Sequence, residues 1–270
     1  MIEVVELNKT FNAGSPDELV ALCNVSLSIR EHQFVTVIGT NGSGKSTLLN
    51  AMAGNLFPDS GIIKIAGEDV TRKPDYKRAG NIARVFQNPY SGTAPGMTIA
   101  ENLLMAWFRG KKRYPVFSMS GKLKGFFRDQ LASLDMQLEN RMENIIETLS
   151  GGQRQAITLL MAVLQTPQVL LLDEHTAALD PKTATQVIRL TERFISENKI
   201  TTLMVTHSMK QALEMGDRTI MMHHGKIIED IEIKEKTKLT VEDLLAKFDD
   251  IRKREKLTPQ LIATLKNQYI

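Results

Sequence analysis

The feature that most constrains the fold is a glycine-rich segment between an apolar run and a run with the character of a helix. Residues 34–38 are mostly β-branched and predict a buried strand, and residues 46–53 predict a helix. The segment between them, GTNGSGKST at residues 39–47, fits the pattern G-x-x-x-x-G-K-[ST] in the strand-to-helix setting that this pattern requires. We call it the phosphate loop. Further apolar runs at 169–172, 202–205 and 219–222 alternate with helical segments, so the chain is predicted to be an α/β protein with a largely parallel sheet.

The phosphate loop predicts a site for a nucleoside triphosphate. Its glycines let backbone N–H groups and the helix N-terminus point at phosphate oxygens, Lys45 adds a positive charge, and the Ser46 hydroxyl is a ligand for Mg²⁺. A plain glycine turn is the alternative, and the strand-to-helix setting disfavours it. The residues predicted to bind the nucleotide are Gly39, Asn41, Gly42, Ser43, Gly44, Lys45, Ser46 and Thr47. Kinases, GTPases and motor ATPases share this pattern, so the loop alone does not identify the class.

Two adjacent carboxylates follow the run at 169–172. Asp173 and Glu174 come at the carboxyl end of this predicted strand, which is the edge where open α/β sheets bind ligands. Asp173 is predicted to hold Mg²⁺, and Glu174 to polarise the attacking water as general base. Without the phosphate loop upstream, two acids that merely end a strand would be an equally good interpretation.

Composition and charge exclude several classes of protein. Of the 270 residues, 42% are hydrophobic and 24% are charged, which is typical of a globular protein. No apolar run approaches the ~18 residues that cross a bilayer, and the first residues lack a signal-peptide pattern, so we expect the chain to stay in the cytosol. Cys23 is the single cysteine, which excludes an intrachain disulfide. A net charge of +3 is too small to indicate nucleic-acid binding.

A second glycine-containing segment indicates the class of nucleotide-binding protein. Residues 149–155 read LSGGQRQ, stand shortly before the acid pair, and open an apolar run that predicts a buried helix to residue 164. A serine and two glycines at a helix N-terminus form a second anion-binding site. The segment is identical to the signature of ATP-binding cassette (ABC) proteins, and the chain resembles this family over roughly residues 1–235. We call residues 149–153 the signature loop.

The resemblance implies the ABC ATPase fold, a P-loop core with a mainly parallel sheet, an antiparallel β subdomain and an α-helical subdomain inserted at about 90–165. A C-terminal helical extension would follow at 236–270. ATP and Mg²⁺ are the implied ligands. The resemblance also implies a head-to-tail dimer with a second copy of the chain, in which the signature loop of one copy closes over the γ-phosphate held by the other. The residues carried over for this contact are Ser150, Gly151, Gly152 and Gln153.

Four further positions match motifs of the family. Phe11 resembles the aromatic residue that stacks on adenine, although a lone phenylalanine is more often a core residue. Gln87 resembles the glutamine that contacts Mg²⁺ or the attacking water, and Asp180 resembles the D-loop aspartate. His207 resembles the switch histidine at the γ-phosphate, and its position after a predicted strand favours that role over a structural one.

One departure from the family pattern follows the acid pair. The family most often has proline after the catalytic glutamate, whereas this chain has His175. The departure does not touch the catalytic pair, and it resembles a branch of bacterial importer ATPases, some of them tied to aromatic amino acids. We interpret His175 itself as structural or solvated.

The resemblance implies a subunit that drives a separate membrane permease from the cytoplasmic face of the membrane, with an extracytoplasmic substrate-binding protein as a further partner and no nucleic acid. Import is preferred because exporters commonly fuse permease and ATPase in one chain, and residues 97–102 resemble the permease-facing segment of importers. The alternative is a soluble ABC ATPase of an assembly complex such as that for iron–sulfur clusters. Nucleic-acid and ribosome-associated ABC proteins are disfavoured, because they carry two cassettes or a long coiled coil.

Two segments remain without an assigned role. Residues 109–128 contain seven basic residues and no acid, and a solvated loop is preferred over attraction to anionic lipid or the permease. In the C-terminal extension, apolar residues at helical spacing predict one stripe that packs on the body of the protein. The stripe consists of Val241, Leu244, Leu245, Phe248 and Ile251.

Overall fold

The computed structural model describes residues 2–111 and 119–256, with side chains up to residue 248. The strands are β1 (Ile2–Phe11), β2 (Leu19–Ile29), β3 (Phe34–Gly39), β4 (Ser60–Ile65), β5 (Glu68–Asp69), β6 (Ile82–Val85), β7 (Val169–Asp173), β8 (Thr201–Val205), β9 (Arg218–His223) and β10 (Lys226–Glu232). The helices are α1 (Lys45–Ala53), α2 (Asp75–Arg78), α3 (Ile99–Trp107), α4 (Gly121–Ala132), α5 (Gly151–Val163), α6 (Pro181–Asn198), α7 (Met209–Glu214), α8 (Ile233–Lys236) and α9 (Val241–Lys256). Lys112 and Arg113 of the basic segment lie outside the described residues, as does the end of the predicted C-terminal extension.

A six-stranded sheet forms the centre of the fold, in the order β10-β9-β3-β8-β7-β6. All its pairs are parallel except β10 with β9, so the predicted, largely parallel sheet is confirmed. Strand β10 was not predicted because only Ile231 among its residues is buried. The other side chains of β10 are mostly charged, as is common for an edge strand that faces solvent.

A second sheet, β2-β1-β4-β5, is antiparallel throughout. Its strands bury alternate residues, such as Val25, Leu27 and Ile29 of β2, because successive side chains point to opposite faces. The buried face packs in one core with Leu48, Leu49 and Met52 of α1. This sheet is the antiparallel element of the fold class, and it covers the helix that follows the phosphate loop.

Backbone hydrogen bonds tie three chain segments together beside the phosphate loop. The Cys23 N–H of β2 donates to the carbonyl of Gly225 at 2.8 Å, and the Gly225 N–H donates to the carbonyl of Ser43 at 3.1 Å. Gly44 has a φ of 96°, and a Cβ there would lie 2.3 Å from the carbonyl oxygen of Ala21. The antiparallel sheet, the β9–β10 turn and the phosphate loop are therefore in direct backbone contact.

Helices α3, α4 and α5 share a core that includes Leu103, Phe127 and Leu131. Trp107 of α3 packs on Phe126 of α4, with ring centroids 5.2 Å apart. Helix α5 is buried on nearly all sides, which confirms the buried helix predicted after the signature loop. These helices lie within the predicted insertion at about 90–165, whose boundaries stay a prediction.

Helix α9 packs on the body through Leu244 and Phe248, which share a core with Ala212 of α7 and Met221 of β9. The predicted single stripe is wrong for Leu245, which is 47% exposed and does not belong to this core. The side chain of Ile251 lies outside the described residues. Among the residues that the structure describes, no helix has both the length and the hydropathy needed to cross a bilayer.

Candidate active site

The phosphate loop connects β3 to α1, as the sequence predicts. The ammonium of Lys45 donates to the carbonyls of Gly39 and Thr40, each at 2.9 Å. Burial lowers the pKa of Lys45, and the nearby carboxylates of Glu174 and Asp173 partly offset this effect. The structure therefore places the lysine of the loop within electrostatic reach of the acid pair, although the two motifs lie far apart in the sequence.

Glu174 and His207 form a contact pair at the carboxyl ends of neighbouring strands. Glu174 follows β7, His207 follows β8, and His207 Nε2 lies 2.6 Å from Glu174 Oε1. Glu174 has a φ of 45°, a left-handed conformation that costs a non-glycine residue on the order of 1–2 kcal/mol. Its N–H donates to the carbonyl of Val205 at 2.9 Å, and this bond to β8 helps to hold the turn. The predicted general base and the predicted switch histidine are thus brought together.

Asp173 has a partner that the sequence did not reveal. Arg84 Nη2 donates to Asp173 Oδ2 at 2.7 Å, and Arg84 Nη1 donates to Asn50 Oδ1 of α1 at 2.6 Å. The available signal was a charged residue inside the short, otherwise buried strand β6, because an arginine is seldom placed there without a partner.

The predicted Mg²⁺ ligands are compatible with that ion. The Ser46 hydroxyl, the Asp173 carboxylate and the Gln87 amide all offer oxygen, and Mg²⁺ prefers oxygen ligands. Ser46 and Gln87 are exposed, and Asp173 is partly buried. The described residues contain no cluster of three or more histidine, cysteine or acidic side chains that could hold a metal alone. A few protein oxygens combined with phosphates and waters form a common type of Mg²⁺ site.

The signature loop lies against residues 179–183, which include Asp180 and the start of α6. The Ser150 hydroxyl accepts from the N–H of Gln153, and the N–H of Ser150 donates to Gln153 Oε1, both at 3.3 Å, so the two residues form a capping box for α5. A Cβ on Gly152 would lie 1.9 Å from Thr183 Cγ2 of α6. Asp180 caps α6 by accepting from the N–H of Thr183 at 3.1 Å, and hydrogen bonds from Thr183 hold the pKa of Asp180 below its usual value.

Most of the predicted site residues therefore fall into two groups. The phosphate loop lies with Asp173, Glu174 and His207, whereas the signature loop lies with Asp180. No hydrogen bond or ion pair among the described residues joins the signature loop to the phosphate loop. Phe11 ends β1 with the Lys9 ammonium 5.6 Å from its ring centroid, and its adenine-stacking role stays a prediction.

Sequence reasoning also missed that α9 borders the site. A pocket of about 480 Å³ is lined by Asn41 and His207 on one side and by Met209, Leu245 and Phe248 on the other. The helix was predicted, but its position next to the phosphate loop was not. Spacing along a helix shows which residues share a face, and it does not show what that face meets.

His175 is a buried structural residue. The Thr191 hydroxyl donates to the carbonyl of Val187 at 2.8 Å, so its oxygen accepts from His175 Nε2 at 3.0 Å. Burial lowers the pKa of His175 to about 4, so the ring is neutral near pH 7. The structure thus supports the structural interpretation and excludes a solvated one.

Comparison with known proteins identifies the family. Residues 22–177 match the family model described as ABC transporter. The chain belongs to the ABC transporter family. The tyrosine transport ATP-binding protein of Clostridioides difficile is 43% identical over 258 residues, which cover 92% of this cassette and 99% of that protein. The spermidine/putrescine import ATP-binding protein PotA of Mesorhizobium japonicum is 36% identical over 230 residues, which are 84% of the cassette and 59% of the longer relative.

Solved ABC cassettes share the fold. A dimeric cassette in a post-hydrolysis state with ADP and Pi is 30% identical, with a TM-score of 0.72 over 86% of this chain and 99% of that one. A second cassette in its ADP conformation is 25% identical, with a TM-score of 0.75 over 90% of this chain and 95% of that one. The predicted ABC ATPase fold is confirmed, and the cassette is the ATP-hydrolysing subunit of an ABC transporter. Its family membership implies a membrane permease as partner and a dimer of cassettes.

Proposed function

We propose that two copies of this cassette hydrolyse Mg·ATP at shared sites and thereby drive a permease that imports an amino acid of the tyrosine type. The observation that carries the hydrolytic part is the Glu174–His207 contact of 2.6 Å, formed beside the buried lysine of the phosphate loop. A carboxylate and an imidazole at the carboxyl edge of a parallel sheet are suited to binding and orienting a water molecule.

In each copy, the residues at and beside the phosphate loop have distinct roles. Lys45 exchanges its contacts with the carbonyls of Gly39 and Thr40 for contacts with phosphate oxygens, and N–H groups of the loop bind further oxygens. Glu174 accepts a proton from the attacking water, while His207 holds the Glu174 carboxylate and contacts the γ-phosphate. Bound Mg²⁺ would neutralise charge on the phosphate oxygens, held by the oxygens of Ser46, Asp173 and Gln87.

The second copy completes the site. The N-terminus of α5 offers unpaired backbone N–H groups at Gly151 and Gly152, together with the Ser150 hydroxyl and the Gln153 amide, and these groups favour an anion. Because the signature loop is not bonded to the phosphate loop of its own chain, we assign it to the ATP held by the other copy. Asp180 moves with it, since α5 and α6 contact each other through Gly152 and Thr183.

A surface groove provides a place for the permease. It measures about 420 Å³ and lies between the turn that follows Gln87 and helices α3 and α5, with Gly92, Met105 and Met161 in its lining. Met105 and the nearby Met97 are 42% and 40% exposed. Exposed methionines next to a groove are suited to docking a helix of another protein. A permease seated there would place the cassette peripherally at the cytoplasmic face of the membrane.

The amino-acid substrate is inferred from similarity. The relative named for tyrosine transport matches over 99% of its length, whereas the polyamine-named relative is much longer than this chain. Together with the importer-like stretch at 97–102, this favours import, with an extracytoplasmic substrate-binding protein delivering the amino acid. These relatives do not favour the alternative of a soluble assembly ATPase.

The first test is a pull-down of tagged Glu174→Gln protein from its own cells in mild detergent with Mg·ATP. We expect it to recover a multispanning membrane protein, because the variant holds ATP without hydrolysing it. Untagged Glu174→Gln cells serve as the control. Stoichiometric recovery of soluble partners alone would contradict the transport proposal. Uptake of labelled tyrosine then tests the substrate: it should be lost on deletion of the gene and restored by the wild-type chain, and not by Glu174→Gln.

A further inference from the structure

We infer that Arg84 is a positioning residue that holds Asp173 in the orientation required by the metal. The inference rests on the proposed role of Asp173 as a Mg²⁺ ligand. Arg84 occupies one carboxylate oxygen, Oδ2, through the 2.7 Å contact from Nη2, and the other oxygen stays available to the ion or its waters. A carboxylate that binds a metal commonly needs such a hydrogen-bonding partner to fix its direction.

The guanidinium of Arg84 is itself fixed on three sides. Nη2 bonds to Asp173, Nη1 bonds to Asn50 Oδ1 at 2.6 Å, and the group lies 4.7 Å from the centroid of the Phe86 ring. The side chains of Arg84 and Asp173 are only 12% and 14% exposed, so water competes little for their contact. Two of the three anchors do not involve Asp173. Arg84 is therefore held in place before any metal arrives.

The contact with Asn50 connects the two elements that carry the metal ligands. Asn50 lies about one turn after Ser46 on α1, and Asp173 ends β7. Arg84 bridges them with the two prongs of a planar fork. It thereby sets the spacing between the Ser46 hydroxyl and the Asp173 carboxylate. This spacing matters because Mg²⁺ requires its ligands to be arranged close to an octahedron.

A plain structural ion pair is the competing explanation. Both explanations predict lower stability when Arg84 is removed, since an unpaired, largely buried carboxylate is unfavourable. They differ in one quantity, the factor by which Mg²⁺ strengthens nucleotide binding. A structural pair leaves that factor unchanged, whereas a positioning residue raises it.

The test compares Arg84→Lys and Arg84→Met, each in the Glu174→Gln background, which prevents turnover. The dissociation constant of methylanthraniloyl-ATP is measured by fluorescence in EDTA and in saturating Mg²⁺. We expect both variants to bind the analogue in EDTA as well as their parent does. The dissociation constant in EDTA divided by that in Mg²⁺, which we call the Mg²⁺ ratio, should fall roughly tenfold or more in both variants. Arg84→Lys should not rescue the ratio, because a single ammonium cannot replace the planar fork between Asp173 and Asn50.

Arg109 provides the matched control. It lines the same groove as Arg84, and its Nη2 donates to the carbonyl of Ala162 at 2.8 Å, with no contact to the acid pair. Arg109→Met should lower the melting temperature and leave the Mg²⁺ ratio unchanged. An unchanged ratio in the Arg84 variants would overturn the inference in favour of a structural pair, and a larger ratio would overturn it by showing that Arg84 competes with the ion. If the Glu174→Gln parent binds equally well with and without Mg²⁺, the proposed metal site itself is wrong. That result would separate failure of the proposed function from failure of the Arg84 inference.

Discussion

The phosphate loop and the signature loop both place glycines at a helix N-terminus, yet the glycines meet different surroundings. A Cβ on Gly44 would lie 2.3 Å from a backbone oxygen of β2, and Gly44 has a positive φ. A Cβ on Gly152 would instead lie 1.9 Å from a methyl group, Cγ2 of Thr183. The first loop is enclosed by main chain and the second by a side chain. Similar motifs therefore tolerate change very differently.

The two regions also differ in chemistry. The phosphate loop contains a lysine and lies beside two carboxylates and a histidine, whereas the signature loop offers mainly N–H groups and one hydroxyl. The first region can bind and activate, and the second can only bind. In the proposed shared site neither region is sufficient for hydrolysis, so changes in each should have separable consequences.

Glu174→Gln should have the largest effect. Turnover should fall by about 10²–10⁴-fold, because the amide cannot accept the proton of water, while ATP binding is retained. Phosphate release and binding of a fluorescent ATP analogue measure the two properties. Glu197→Gln, at an exposed position on α6, is the control. A Glu174→Gln variant with the wild-type rate would remove Glu174 as the base.

Complementation tests whether the two regions come from different copies. Lys45→Ala and Ser150→Arg should each lower turnover by roughly a hundredfold. Lys45→Ala removes a charge-assisted contact to phosphate, and Ser150→Arg blocks the signature loop. An equal mixture should recover roughly a quarter of the wild-type rate, because half of the dimers would be mixed and each mixed dimer would hold one intact site. Steady-state phosphate release measures this. A mixture as inactive as its components would contradict the shared site.

His175 should make the folded protein less stable in acid. The pKa of His175 is about 4 in the folded protein, below the usual value of 6.5, so the unfolded state binds the proton more readily. Stability from this group is complete above pH 6.5 and falls as the pH drops towards 4, by up to roughly 3 kcal/mol. Urea unfolding between pH 7 and 4.5 should show a shallower pH dependence for His175→Asn. Parallel curves for the variant and the wild type would contradict this account.

Gly152→Ala should have the smallest effect, a loss of roughly 1–2 kcal/mol from crowding against Thr183. Thr183→Ala should restore part of that loss, because the obstructing atom is a side-chain methyl. Gly44→Ala should be more destabilising, and no side-chain truncation should rescue it, because its obstruction is backbone. Thermal unfolding of the single and double variants gives the comparison. If Thr183→Ala fails to relieve Gly152→Ala, the proposed distinction between the loops is wrong.

Much of the site could be predicted because its signals are contiguous. The phosphate loop, the acid pair and the signature loop each occupy neighbouring positions, and the strands that carry Glu174 and His207 were recognisable from their apolar runs. The fold class that these signals predict, α/β with a mainly parallel sheet, was confirmed. The catalytic and binding roles of the residues stay predictions.

Features that depend on strand pairing could not be predicted in this way. Arg84 and Asp173 are 89 residues apart, and they meet because β6 and β7 pair in parallel with Arg84 opposite Leu171. The exposure of Leu245 also depends on where α9 docks. Leu244 and Leu245 are neighbours in the helix and point about 100° apart, so the width of the contact decides whether both of them are covered.

The backbone contacts among Cys23, Gly225 and Ser43 have a mechanical consequence. Main-chain hydrogen bonds join the antiparallel sheet to the β9–β10 turn and that turn to the phosphate loop, without a flexible side chain between them. We therefore expect the phosphate loop and both sheets to move together when two copies approach each other. We expect any bending to occur where the chain enters and leaves helices α3 and α4, near residues 88–98 and 147–149.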